Sequence, residues 1–166
     1  MRSTGEVLGL SHSFGVAYFK AQEATKTKLP QSGNVLISVC DRDKIDLLDV
    51  AKAFNDLGFK IFATGGTYDM ITEAGIPATK VKKLYEGRPN ITDMITNGDL
   101  DLIINTPAGK TSAYNDSYIR QEAIKHRVPY ITTMAAAKAS AEGIKAIDTV
   151  HDIQVHALQD FHAEIE

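Results

Sequence analysis

From Asn34 onward, short apolar runs alternate with amphipathic stretches, and that alternation predicts the architecture. Val35-Leu36-Ile37-Ser38-Val39 is a continuous apolar run, as a strand covered on both faces requires. Leu47, Val50, Ala51, Phe54 and Leu57 then recur at three- and four-residue spacing, which is one helix face, and Gly58 ends it. The cycle repeats. Lys60–Ala63 reads as a strand, and Tyr68–Ala74 as a helix stopped by Gly75. Ala78–Val81 is the next strand, and Ile91–Thr96 a helix closed by Asn97-Gly98. Leu100–Ile104 is the most apolar strand, followed by a helix over Ser117–His126. Tyr130–Thr132 and the alanine-rich helix Ala135–Lys145 complete the pattern, with an edge strand over Asp152–Val155 and a closing helix over Leu158–Ile165 expected after it.

Strands alternating with helices predict βαβ units, hence a three-layer α/β/α fold around a five-stranded, mainly parallel, Rossmann-like open sheet. Right-handed crossovers place helices on both faces. Ligands of such sheets bind at the carboxyl ends of the strands, near a topological switch point. Residues 1–33 differ in texture: Phe14–Ala24 is an amphipathic helix, and Pro30 and Gly33 mark a linker to the unit spanning 34–166. The pattern offers that helix no partner, so the segment reads as the tail of a larger unit.

Composition narrows the functional classes. At 166 residues and 18.1 kDa the chain is long enough for one well-cored domain and an appendage. A net charge of -3 gives no general attraction to nucleic acid or anionic membrane, so any anion site must be local. The single cysteine, Cys40, excludes an internal disulfide framework and fits a reducing compartment. No apolar run approaches the roughly 20 residues that span a bilayer, and the first residues lack a signal-peptide core. The expectation is a soluble cytoplasmic protein.

The strand ends then carry the chemistry. Thr64-Gly65-Gly66-Thr67 joins a strand to a helix, so backbone N–H groups, two hydroxyls and the helix dipole favour an anion such as phosphate. The plainer reading is a tight turn with Thr67 as N-cap. The first strand ends at Ser38, and its loop delivers Lys44 to a helix start, where a cation opposes the dipole. Lys82 and Lys83 follow the third strand; taken alone they are a surface pair. Asn105 and Thr106 end the fourth strand, where Asn105 also suits a local backbone cap. Thr132 and Thr133 end the fifth. Together this rim suits a phosphate-bearing small molecule.

Other chemistries fail on residue type. Ala108-Gly109-Lys110-Thr111 is half of a nucleoside-triphosphate loop, but Ile104 stands where that pattern needs glycine. The five histidines show neither the i, i+4 pair nor the cysteine partner of a zinc site. No serine sits in a Gly-x-Ser-x-Gly elbow. Cys40 lies beyond a strand end, either as a reactive group or as an ordinary half-buried thiol.

Leu36-Ile37-Ser38-Val39, Asp43-Lys44, Ala63–Thr67, Glu73–Ile76, Glu86-Gly87-Arg88-Pro89-Asn90-Ile91 and Ile103–Thr106 resemble the methylglyoxal-synthase-like fold. Within it they resemble the C-terminal allosteric domain of the carbamoyl phosphate synthetase large subunit. Met1–Gly9 is similar to the end of the second ATP-grasp unit of that subunit, so the resemblance implies that 1–33 is the tail of that unit plus a linker. It implies regulation rather than catalysis, with no catalytic residue, metal or cofactor in this domain. The parent enzyme that the resemblance implies would use ATP and Mg and make carbamoyl phosphate for pyrimidine and arginine biosynthesis. Implied ligands are a nucleotide monophosphate (UMP as inhibitor, IMP as weak activator) and ornithine at the junction. Implied partners are the remaining ATP-grasp domains, the glutaminase small subunit and further copies of the chain.

By position, Lys44, Thr64, Thr67 and Lys83 would hold the phosphate around Gly65 and Gly66, with Ser38, Asn105 and Thr106 beside it. Tyr130 and Thr132 would be this domain's share of the ornithine pocket. Pro107 departs from the family pattern, which has a second threonine there, and Gly65 replaces a histidine of some members. The alternative, methylglyoxal synthase acting on dihydroxyacetone phosphate, needs a carboxylate base. Its Gly-Gly-Asp is absent where Glu86-Gly87-Arg88-Pro89 stands. The cyclohydrolase domain of purine synthesis shares Thr-Gly-Gly-Thr but has a lysine-rich segment and second domain not found here.

Overall fold

The computed structural model describes residues 6–25, 28–107, 113–149 and 156–164. Its strands are β1 (Asn34–Ser38), β2 (Lys60–Thr64), β3 (Thr79–Val81), β4 (Leu102–Asn105) and β5 (Tyr130–Ile131). They form one five-stranded sheet in the order β3-β2-β1-β4-β5, with every pairing parallel. The chain steps outward from β1 to β3, then crosses back to place β4 on the other side of β1. That reversal makes the carboxyl ends of β1 and β4 the switch point of the sheet. The register there sets Ser38 opposite Asn105.

The helices are α1 (Phe14–Glu23), α2 (Leu47–Asp56), α3 (Gly65–Glu73), α4 (Ile91–Asn97), α5 (Ala113–Lys125), α6 (Met134–Thr149) and α7 (Leu158–Ala163). Alternate strand residues point to opposite faces, and two cores result. Val35 and Ile37 of β1 and Leu102 and Ile104 of β4 pack with α1, α2, α3 and α6. Leu36 and Ile103 face the other way, against α4 and α5. Both faces are therefore covered, and the three-layer α/β/α architecture follows. Val35, Leu36 and Ile37 are wholly buried, each contributing about 1.5–3 kcal/mol of hydrophobic stabilisation.

Element boundaries differ from the sequence expectation at informative places. Helix α3 begins at Gly65 rather than Tyr68, so its N-cap is Thr64, and Thr67 sits inside the first turn. Lys44 belongs to a 3-10 helix over Asp41–Asp46 that precedes α2, not to α2 itself. The N-terminal helix does have a partner: α1 lies across α6 with Phe19 in the core. Their backbones meet at two glycines. A Cβ on Gly15 would lie 2.9 Å from the Glu142 carbonyl oxygen, and one on Gly143 would lie 3.0 Å from that of Gly15. The expected edge strand over Asp152–Val155 and the Ala108–Thr111 segment lie outside the described residues. Among the described residues, no helix is long and apolar enough to cross a membrane.

Candidate functional site

Strand β2 passes into α3 without an intervening loop. Thr64, at the N-cap, is extended, and its side chain does not cap the helix. Its hydroxyl instead donates to the Ser38 hydroxyl at 2.9 Å, tying β2 to β1. Gly65 follows at φ +40°, a left-handed conformation suited to glycine. Thr67 is buried, its Oγ1 accepting from the Val39 N–H at 3.2 Å. That bond anchors the first turn of α3 to the end of β1.

Two lysines converge on this helix start. Lys44 Nζ would lie 3.2 Å from a Cβ on Gly66, and Lys83 Cε would lie 3.9 Å from a Cβ on Gly65. A Cβ on Gly66 would crowd the Lys44 ammonium, whereas one on Gly65 would meet Lys83 only at ordinary contact distance. Partial positive charge at the terminus and two ammonium groups make one strongly anion-seeking spot. Lys44 is already bonded: its Nζ donates to Asp41 Oδ1 at 2.7 Å. That bond, the charge of Lys44 and then the charge of Lys83 hold the Asp41 carboxyl below the usual carboxylate range.

The Glu86–Asn90 turn has a structural explanation. Glu86 Oε2 accepts from the Lys83 N–H at 2.8 Å, fixing the backbone that presents Lys83. Asn90 caps α4, its Oδ1 accepting from the Thr92 N–H at 3.0 Å, while Asp93 Oδ2 accepts from the Asn90 N–H at 2.9 Å. Lys82 turns away and donates to the Arg88 carbonyl at 3.4 Å. Of the lysine pair, only Lys83 reaches the site.

Beside this spot, at the switch point, lies a cavity of about 220 Å³. Ser38, Asp41, Lys83, Asn105, Thr106 and Asp116 give it polar walls, and Leu84, Ile91 and Ile119 apolar ones. Lys44, Thr64 and Thr67 are not among its lining residues; they stand on the α3 side, and Lys83 joins the two regions. Asn105 Nδ2 donates to Asp116 Oδ1 at 3.0 Å and to the Tyr130 hydroxyl at 2.7 Å. Burial, and next the Asp116 charge, raise the Tyr130 phenol above its ordinary range, while the Asn105 bond opposes them. Thr106 is held structurally: its Oγ1 accepts from the Cys40 N–H at 3.0 Å. Cys40 donates its thiol proton to Asp43 Oδ2 at 3.3 Å. Burial works against ionisation of Asp43, but hydrogen bonds from Cys40, Thr106 and Arg42 bring its pKa below the ordinary value.

Tyr130 and Thr132 border a second cavity, about 400 Å³, between α1, α5 and the end of β5. Arg120 and Arg127 also line it. The expected site residues therefore form three groups: the lysine-glycine spot, the switch-point cavity, and the β5 cavity. The sequence reading did not single out Asp41, Asp116 or Arg120. Asp41 sits in the quoted strand-end loop, but Asp116 and Arg120 lie on an exposed-looking helix with no motif to mark them. Among the described residues, no group of three or more His, Cys, Asp or Glu side chains is arranged to hold a metal ion.

The family description "MGS-like domain" matches residues 46–132. The chain is 48% identical over 166 residues to the C-terminal section of the carbamoyl phosphate synthase large chain of Aquifex aeolicus (strain VF5), covering 98% of this chain and 31% of that protein. To the corresponding section from Methanopyrus kandleri it is 47% identical over 163 residues, covering 98% and 30%. To the carbamoyl phosphate synthase large chain of Methanothrix thermoacetophila it is 45% identical over 166 residues, covering 99% and 15%. The chain thus spans under a third of the length of each of these relatives.

Proposed function

We propose, for a chain that belongs to the MGS-like domain family, that it is the effector-sensing section of a carbamoyl phosphate synthase large chain. It binds a nucleoside monophosphate at the carboxyl ends of its strands. The observation that carries this reading is the convergence of Lys44 and Lys83 on the Gly65-Gly66 start of α3, beside the switch-point cavity. A phosphate dianion there accepts charge-assisted hydrogen bonds from both ammonium groups and backbone bonds from the first turn. The nucleoside then extends into the cavity, against Leu84 and Ile91, with Asn105 and Asp116 within reach of its polar edges.

The parent enzyme, in this reading, makes carbamoyl phosphate from glutamine-derived ammonia, bicarbonate and ATP. This section biases its activity by a coupling of about 1–3 kcal/mol. UMP and IMP are the expected nucleotides. The β5 cavity around Tyr130 and Thr132 is this section's part of an ornithine site, and other domains supply the carboxylates that a diamine requires. Regulation is favoured over methylglyoxal synthase because the turn standing in place of Gly-Gly-Asp has its carboxylate, Glu86, bound to the Lys83 backbone.

Amide NMR during a UMP titration tests the placement. Saturable shifts concentrated at Gly65, Gly66, Lys83 and Asn105 are expected. Shifts confined to other faces of the sheet would contradict it.

A further inference from the structure

The phosphate spot already holds an anion of its own. Asp41 Oδ1 accepts from Lys44 Nζ at 2.7 Å, and that ammonium lies over Gly66 at the start of α3. The two side chains differ sharply in freedom: Lys44 is 27% exposed and Asp41 95% exposed. The lysine is held by its surroundings, while the carboxylate reaches it from water. Lys83, the second cation of the spot, also acts on Asp41, and both residues line the switch-point cavity. The other acid of the loop, Asp43, is committed to Cys40 and Arg42.

We infer that Asp41 is a displaceable counter-anion that sets the affinity and charge selectivity of the phosphate site. The inference rests on the phosphate reading above. Binding is then an exchange: a ligand phosphate takes the Lys44 ammonium, and the Asp41 carboxylate swings into solvent. An exposed ion pair of this kind is weak, so a dianion bonded to Lys44, Lys83 and backbone N–H groups displaces it readily. A monoanion offers Lys44 little that the carboxylate does not already supply. As an exposed carboxylate, Asp41 is ionised throughout the neutral pH range and competes there. Asp41 therefore makes the site discriminate against singly charged anions.

The test is calorimetric titration of inorganic phosphate into the wild-type chain, Asp41→Asn and Lys83→Ala, with formate as the monoanion probe. Asp41→Ser serves as a second neutral variant. Because Asp41 is exposed, circular dichroism and melting should match wild type. Asp41→Asn should bind phosphate about two- to fivefold more tightly, the range expected for removing one exposed competing pair. It should also gain measurable formate binding. If wild type binds phosphate and Lys83→Ala weakens it, while both neutral variants bind no more tightly than wild type, the inference fails and the phosphate site stands. If no protein binds phosphate, the site itself is wrong and this inference falls with it.

Discussion

Asn105 donates its amide to the Tyr130 hydroxyl across 2.7 Å, and that bond directly joins the two cavities. Asn105 is buried and spends its other amide hydrogen on Asp116. A group that draws Asn105 toward the switch-point cavity therefore pulls on a side chain that borders the β5 cavity. Tyr130→Phe removes the acceptor and leaves a buried N–H unpaired, at a cost of about 1–3 kcal/mol. Thermal melting should register this as a fall of about 3–8 °C. An unchanged melting temperature would show that the bond contributes nothing.

Lys83 tests the anion spot from the side that faces the cavity. Lys83→Ala should weaken UMP binding tenfold or more, because it removes a charge-assisted bond to the phosphate. Its stability should stay near wild type, since the Lys83 backbone, not its ammonium, makes the structural contact with Glu86. Equal UMP affinity in the variant, measured by calorimetry, would remove Lys83 from the site.

The crossing of α1 over α6 admits no added carbon. Gly15→Ala places a Cβ 2.9 Å from the Glu142 carbonyl oxygen, which is backbone and cannot yield as a side-chain tip does. The helices must separate, and a loss of about 1–3 kcal/mol is expected. Urea unfolding should show a lower midpoint, and UMP affinity should hold because the proposed site lies at the strand ends.

Arg127 adopts φ 59° just beyond α5, where the Val128 N–H bonds back to the Ala123 carbonyl at 2.9 Å. A left-handed residue that closes a helix in this way is usually glycine. Arg127→Gly should therefore stabilise the chain, by about 0.5–1 kcal/mol. Destabilisation in urea would mean that the Arg127 side chain, which lines the β5 cavity, makes a stronger contact than the backbone strain it carries.

The sheet was legible in the sequence because burial on both faces writes an unbroken apolar run, as in Val35–Ile37 and Leu102–Ile104. Helix α2 was legible because one face carries its apolar residues. The start of α3 was not, since glycine is a poor helix former and only the tertiary setting draws Gly65 and Gly66 into the helix. The roles of the threonines followed from that shift: Thr67 became an internal anchor to Val39, and Thr64 took the N-cap. The partner of α1 was hidden because it depends on Gly15 and Gly143, which lie far apart in the chain and break no pattern. Strand-end reasoning placed Lys44, Lys82, Lys83, Asn105 and the glycines on one rim by position alone, and the structure brings Lys44 and Lys83 of these to the start of α3. That reasoning could not find that Asp41 holds Lys44, or that Asn105 reaches Tyr130, because those bonds depend on side-chain geometry.

The central claim is that Lys44, Lys83 and the start of α3 bind the phosphate of a nucleotide. Isothermal titration of UMP into the chain, repeated with inorganic phosphate as competitor, tests it most directly. The account predicts saturable binding that phosphate weakens. A folded sample that releases no heat at millimolar UMP, or binds UMP with no response to phosphate, would contradict it.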